Sequence, residues 1–148
     1  MALTKERGSV FRMKLIKTIS FKSLGDERGS LVSLEGNKSV PFDIKRVYYI
    51  FGTKEGISRG FHAHRNLKQV AVCVIGSCRF ILDNGNQRDE VVLDKSTTGL
   101  LIDNLIWREI YDFSPDCVLM VLANEHYNES DYIRDYQGFI KEVENEKR

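Results

Sequence analysis

No apolar run in the 148 residues approaches the ~18 that a membrane-crossing helix needs, which excludes a helical membrane protein. Two prolines and eleven glycines are too few for long disordered linkers. The three cysteines, Cys73, Cys78 and Cys117, are an odd number set among apolar neighbours. They read as small buried hydrophobes in a reducing compartment, not as a disulfide framework. Net charge is only +1, so nothing draws the chain nonspecifically to nucleic acid or a membrane surface, and any positive site has to be local. Lys5, Arg7 and Arg12 are not followed by the apolar stretch of a secretory signal, so a cytoplasmic protein is expected. No repeat or low-complexity segment is visible.

What is present suits one soluble domain large enough to bury a core, with 42% hydrophobic and 29% charged residues. Residues 1–13 read as a flexible N-terminal extension, with Met13 an alternative start, and residues 14–148 as a single domain. From Lys14 the chain predicts strand after strand. Residues 15–21 are followed by a turn at 25–29, a strand at 30–35, and another at 44–51 rich in β-branched and aromatic residues. Residues 69–75 form an apolar run expected to be buried on both faces and ended by Gly76. Residues 78–82 and 89–93 flank Asp83-Asn84-Gly85-Asn86, a hairpin by its turn chemistry. Further strands are expected at 99–102, 107–113 and 117–123, with Arg108 and Asp112 on one face of the second of these. A short helix spans residues 136–147, where Phe139, Ile140 and Val143 have helical spacing. Many short strands with turns between them predict an all-β sandwich or barrel.

The centre of the sequence is Arg59-Gly60-Phe61-His62-Ala63-His64. Two histidines one residue apart on a strand point to the same side, with Cα atoms ~6.5–7 Å apart, so both rings are expected to reach one cavity. Arg59 is expected in a glycine-containing turn that lets the backbone approach a ligand. An H-x-H pair serves as metal ligands, as ordinary polar surface or as a proton-transfer site, and its neighbours discriminate.

Those neighbours are His62-x-His64-x4-Gln69-x6-Gly76, which resembles the first cupin motif with glutamine where metal cupins carry glutamate. In the counterpart of the second motif, Asn104-Leu105-Ile106-Trp107-Arg108, arginine stands in place of the third metal histidine. A guanidinium cannot ligate a metal and a neutral amide is a poor replacement for carboxylate. The expectation is a cupin, a double-stranded β-helix (jelly-roll) barrel with a short C-terminal helix, needing no cofactor and using its histidines for acid–base work.

Five blocks carry a more specific resemblance: Asp26-Glu27-Arg28-Gly29-Ser30-Leu31, residues 41–50, Arg59 to His64, Trp107-Arg108-Glu109 and Asp131-Tyr132-Ile133-Arg134. Together they resemble the dTDP-sugar 3,4-ketoisomerases, metal-free cupins distantly similar to the dTDP-4-dehydrorhamnose 3,5-epimerases. The resemblance implies conversion of dTDP-4-oxo-6-deoxy-D-glucose to its 3-oxo isomer, on the way to 3-amino-3,6-dideoxy sugars, by a cytoplasmic homodimer. It implies His62 as the base, Tyr48 as the carrier of a proton between two oxygens, and His64 in support. Arg46 and Arg59 are expected on the diphosphate, because a planar guanidinium grips phosphate bidentately. Arg28, Arg108 and Gln69 are expected to border the sugar, the two arginines governing which face of C4′ receives the proton. The alternatives are a 3,5-epimerase on the same class of substrate and a non-catalytic sugar-nucleotide-binding cupin.

Overall fold

The computed structural model describes residues 14–147, and the expected N-terminal extension therefore lies outside the described residues. Twelve strands follow in order: β1 (Lys17–Ser20), β2 (Leu24–Asp26), β3 (Gly29–Leu31), β4 (Arg46–Ile50), β5 (Arg59–His64), β6 (Gln69–Ile75), β7 (Cys78–Asp83), β8 (Arg88–Leu93), β9 (Thr98–Ile102), β10 (Trp107–Tyr111), β11 (Val118–Ala123) and β12 (Tyr132–Ile133). Helix α1 (Tyr136–Glu146) closes the chain. Ten strands make two five-stranded sheets, ordered β1-β9-β6-β11-β4 and β12-β5-β10-β7-β8, with every pairing antiparallel. This is the expected all-β jelly-roll of cupin type.

Side-chain alternation explains how the two sheets are covered. Along β6, Ala71 and Cys73 face the core between the sheets, while Val70 and Val72 join Phe21, Val40, Phe42 and Leu122 on the outer face. The run expected to be buried on both faces is so from Gln69 to Cys73, and only Val74 and Ile75 emerge. The outer face of the second sheet is sealed by α1, whose Phe139 and Val143 pack on Ala63, Trp107 and Ile133. Asp135 caps that helix, its carboxylate accepting from the Gly138 N–H at 2.8 Å.

Two expectations need correction. The strand expected at residues 30–35 is only the short β3, paired with β2 across a two-residue turn, Glu27-Arg28. Val32 and Leu34 still turn toward the outer cluster, so their alternation reports packing without a ladder partner. The alternation expected to carry Arg108 and Asp112 on one face ends at Tyr111. Asp112 has a left-handed backbone (φ 55°) and pairs outside with Arg79 at 2.8 Å.

The three cysteines meet at the end of β6, the start of β7 and the approach to β11. Cys73 Sγ lies 3.6 Å from Cys78 Sγ and 3.5 Å from Cys117 Sγ, and all three are free and buried. Hydrogen bonding to Cys78 and burial raise the Cys73 thiol, and burial pushes Cys117 up to about 12. All three are the small core hydrophobes that the sequence implied. Beside them Gly76 turns the chain with φ +75°, and a Cβ there would stand 2.9 Å from Cys117 Cα and closer still to the Ser114 hydroxyl. Neither the dihedral nor the space admits a side chain. Gly76→Ala is therefore expected to destabilise the fold by about 2–4 kcal/mol in urea unfolding, and a loss under ~0.5 kcal/mol would contradict this geometry.

Candidate active site

One end of the barrel is open, and its cavity of about 420 Å³ takes side chains from both sheets. The first sheet supplies Arg46 and Tyr48 from β4 and Gln69 from β6. The second supplies Arg59 and His62 from β5, Arg108 from β10 and Tyr132 from β12, with Arg134 just beyond. Register explains the grouping. Arg108 stands opposite His62, and Tyr132 opposite His64. Four arginines line the cavity, and among its described lining residues none is acidic. A chain of net charge +1 has thus gathered a positive field at one point.

Arg59 and Gly60 belong to β5 itself, not to a turn, which corrects the sequence expectation. Gly60 (φ +91°) and Phe61 (φ +57°) form an irregularity where the pairing with β10 shifts register between Arg108 and Glu109. Gly60 is required because a Cβ would lie 3.0 Å from the Arg108 carbonyl, so the close approach is to a neighbouring strand. Such a bulge re-aims the residue that follows. Here it brings the Gly60 carbonyl within 3.0 Å of His62 Nδ1. A carbonyl only accepts, so Nδ1 carries the hydrogen and Nε2 keeps its lone pair. Burial first, and then the Arg108 charge, lower His62 to about 4, so the ring is neutral at pH 7.

His64 is placed differently from its expectation. The residue is 1% exposed, and its ring lines an adjoining groove with Asn66, His126, Tyr127 and Asp131, not the cavity. The two rings meet edge to face at 4.9 Å, with Tyr132 5.0 Å from His62 and 4.3 Å from His64. Opposite β12, His64 is covered on that side. Burial and Arg108 hold it at about 2, and Nδ1 stands 3.4 Å from Asp131 Oδ2 without hydrogen-bond alignment. It is a neutral ring that buttresses His62 and Tyr132.

Arg108 is the most constrained cation of the site. It is 3% exposed, with Nη1 donating to Gln69 Oε1 and Nη2 to the Ile106 carbonyl at 3.0 Å, and Nε finds no partner. Burial lowers it to about 10, which leaves it charged at neutral pH beside neutral partners only. Gln69 in turn donates from Nε2 to Tyr48 Oη at 2.9 Å. Gln69, expected to border the sugar, lines the cavity and also ties Tyr48 of one sheet to Arg108 of the other. Burial raises Tyr48, so it is a neutral phenol.

Arg46 lies 5.2 Å from the Tyr48 ring and 5.6 Å from that of Tyr127, its Nε unpartnered. Arg59 lines the cavity as expected, whereas Arg28 does not reach it. Arg28 sits at the β2–β3 turn with its side chain 86% exposed, ion-paired with Asp26. The pairing is local, and among the described residues Arg28 is not one that lines the cavity. Tyr132 and Arg134 were not singled out as site residues from sequence, although their block was part of the resemblance. Arg134 lies over the Tyr132 ring at 4.2 Å and is paired with Glu129.

Residues 14–144 match the family model described as "FdtA: WxcM-like, C-terminal". The chain belongs to that family. It is 56% identical over 127 residues, 86% of this chain and 91% of the other, to a TDP-4-oxo-6-deoxy-alpha-D-glucose-3,4-oxoisomerase of Aneurinibacillus thermoaerophilus. Its fold matches a histidine-to-asparagine mutant of the 3,4-ketoisomerase QdtA from Thermoanaerobacterium thermosaccharolyticum, solved with TDP-4-keto-6-deoxyglucose. There the TM-score is 0.87 at 41% identity, over 90% of this chain and 97% of that one. The TDP-quinovose 3,4-ketoisomerase WlaRB of Campylobacter jejuni matches at TM-score 0.83 and 44% identity, over 87% and 99%. The protein is accordingly an isomerase of the 3,4-ketoisomerase type, and this bears out the resemblance read from its five sequence blocks.

Proposed function

We propose that the enzyme converts dTDP-4-oxo-6-deoxy-D-glucose to a dTDP-3-oxo-6-deoxyhexose, feeding 3-amino-3,6-dideoxy sugars into lipopolysaccharide or S-layer glycans, in the cytoplasm. The observation that carries the reading is the tautomer of His62: a neutral ring held by the Gly60 carbonyl, its basic Nε2 left free in a cavity of arginines. His62 takes the proton on C3′ while the C4′ carbonyl oxygen receives one from the Tyr48 hydroxyl, giving an enediol. The Tyr48 phenolate then takes the hydrogen of the C3′ hydroxyl, the C3′ carbonyl forms, and His62, whose proton exchanges with solvent during the lifetime of the enediol, protonates C4′. Both residues end as they began. Arg108 stabilises negative charge developing on the sugar oxygens. Arg46, Arg59 and Arg134 at the rim hold the diphosphate. The chemistry runs on side chains alone, with no metal or organic cofactor.

Isomerisation of dTDP-4-oxo-6-deoxyglucose in deuterated water, followed by NMR, tests this reading. A 3-oxo product labelled at C4′ is expected, and an unchanged or C5′-epimerised sugar would overturn it.

A homodimer is part of the same reading. Among the described residues strand β4 is a free sheet edge with Val47 and Tyr49 exposed, and Phe51 just beyond it and Leu24 and Leu31 of the β2–β3 hairpin are exposed as well. Unpaired edges carrying apolar side chains are ordinarily covered. In a dimer, Arg28 has a route to a substrate that its own chain does not offer. Light scattering at micromolar concentration is expected to give twice the chain mass, and a monomer would refute the proposal.

A further inference from the structure

We propose that Gln69 is a positioning residue that fixes the direction of the Tyr48 hydroxyl hydrogen, aiming it into the cavity, by donating to the phenol oxygen from its opposite side. The proposal rests on the reading above in which Tyr48 moves a proton between the two sugar oxygens.

The direction follows from what each group is able to do. Arg108 has only N–H donors, so the atom of Gln69 that meets its Nη1 has to be the carbonyl Oε1. The amide is planar, and its Nε2 is thereby turned to Tyr48 Oη at 2.9 Å. An amide NH2 does not accept, so Tyr48 cannot give its hydrogen to Gln69. That hydrogen has to leave in another direction, and Tyr48 lines the cavity. Gln69 itself is 1% exposed and held at both ends, so the amide has no freedom to flip. The relay Arg108 to Gln69 to Tyr48 crosses from one sheet to the other and runs one way.

Two consequences for the reaction come from this polarity. Tyr48 meets the sugar as a donor, which the first step requires when the C4′ oxygen needs a proton. The phenolate left behind then keeps the Gln69 N–H and faces the Arg108 charge, both of which favour the negative form. A glutamate at position 69 would do the opposite. Its carboxylate would pair with Arg108 and accept the Tyr48 hydrogen, drawing it away from the substrate.

The test is a double-mutant cycle with a titration beside it. Gln69→Glu is expected to lower kcat by about 10-fold or more with KM within ~3-fold, and to lose most of that effect in a Tyr48→Phe background, because a residue acting through another is non-additive with it. Tyr48, followed by 13C NMR of Cζ-labelled tyrosine and assigned with Tyr48→Phe, is expected to titrate at higher pH in Gln69→Glu than in wild type. Should the Glu variant fail to fold, Gln69→Met keeps the volume, removes the donor, and is expected to move the titration the same way. An unmoved titration overturns the proposal, as does a full Gln69→Glu loss in the Tyr48→Phe background, which would put the effect on Arg108 alone. A shifted titration with kcat unchanged in both Gln69→Glu and Tyr48→Phe would instead uphold the positioning and remove Tyr48 from the reaction.

Discussion

Replacing His62 by asparagine is expected to cut kcat by at least ~10²-fold, the lower bound for a positioned acid–base group. Asparagine keeps a donor for the Gly60 carbonyl and fills similar space, so the bulge at Gly60-Phe61 should survive and the loss should be chemical. What disappears is the one basic nitrogen of the cavity. None of its described lining residues is a carboxylate, and the neighbouring His64 lines the groove and is held near pKa 2 by burial and Arg108. KM should change by less than ~3-fold, because the arginines proposed to hold the diphosphate are untouched. Wild type is expected to place solvent deuterium at C4′ of the product, and the variant to leave that position unlabelled. The acid limb of the wild-type profile adds a second check. A base works unprotonated, so kcat/KM should be flat from pH 8 downward and fall only as pH drops through about 4, the folded value of His62. Near-normal exchange in His62→Asn would hand the base to another residue.

Much of this was legible in the sequence because the signals are local. Alternation and turn residues fixed the hairpin at 83–86, the strand from Gln69 to Ile75 and the terminal helix to within a residue or two. The H-x-H pair pointed to the site on its own strand. What sequence missed depends on long-range pairing. Strand β12 is two residues long and has no period to read, and Tyr132 enters the site only because it pairs with His64. Gly60 was read as a turn glycine, whereas a neighbouring strand presses on it inside a bulge. Arg28 stands in a motif of the resemblance, but where a hairpin points is set by tertiary structure, and within its own chain the Arg28 charge is met by Asp26 two residues away. Gln69 and Arg108 were read separately as two departures from a metal-binding pattern. They lie 39 residues apart in sequence and are each other's partners, a compensation that only the folded chain reveals.

Arg108→Met is expected to lower kcat by about 10²–10³-fold, the usual cost of removing a preorganised donor from a developing oxyanion, while leaving the protein as stable or more so. The two halves of that prediction have one cause. The guanidinium is buried with neutral oxygens of Gln69 and Ile106 as its hydrogen-bond partners and an idle Nε, so its desolvation outweighs what its surroundings give back. A fold does not keep a buried, incompletely paired cation for stability, since replacing buried charge with an apolar side chain of similar length is often neutral or stabilising. It keeps one where negative charge arrives, and the proposed enediol step would bring that charge. The same cation lowers His62, second only to burial, so its removal should raise the histidine from about 4 toward its ordinary 6.5 without reaching it, burial remaining. The acid limb of kcat/KM should therefore move to higher pH in Arg108→Met, by an amount set by the charge alone. Unchanged turnover with an unchanged acid limb would mean that Arg108 serves the barrel and not the reaction. A melting temperature lowered by ten degrees would say the same of its burial.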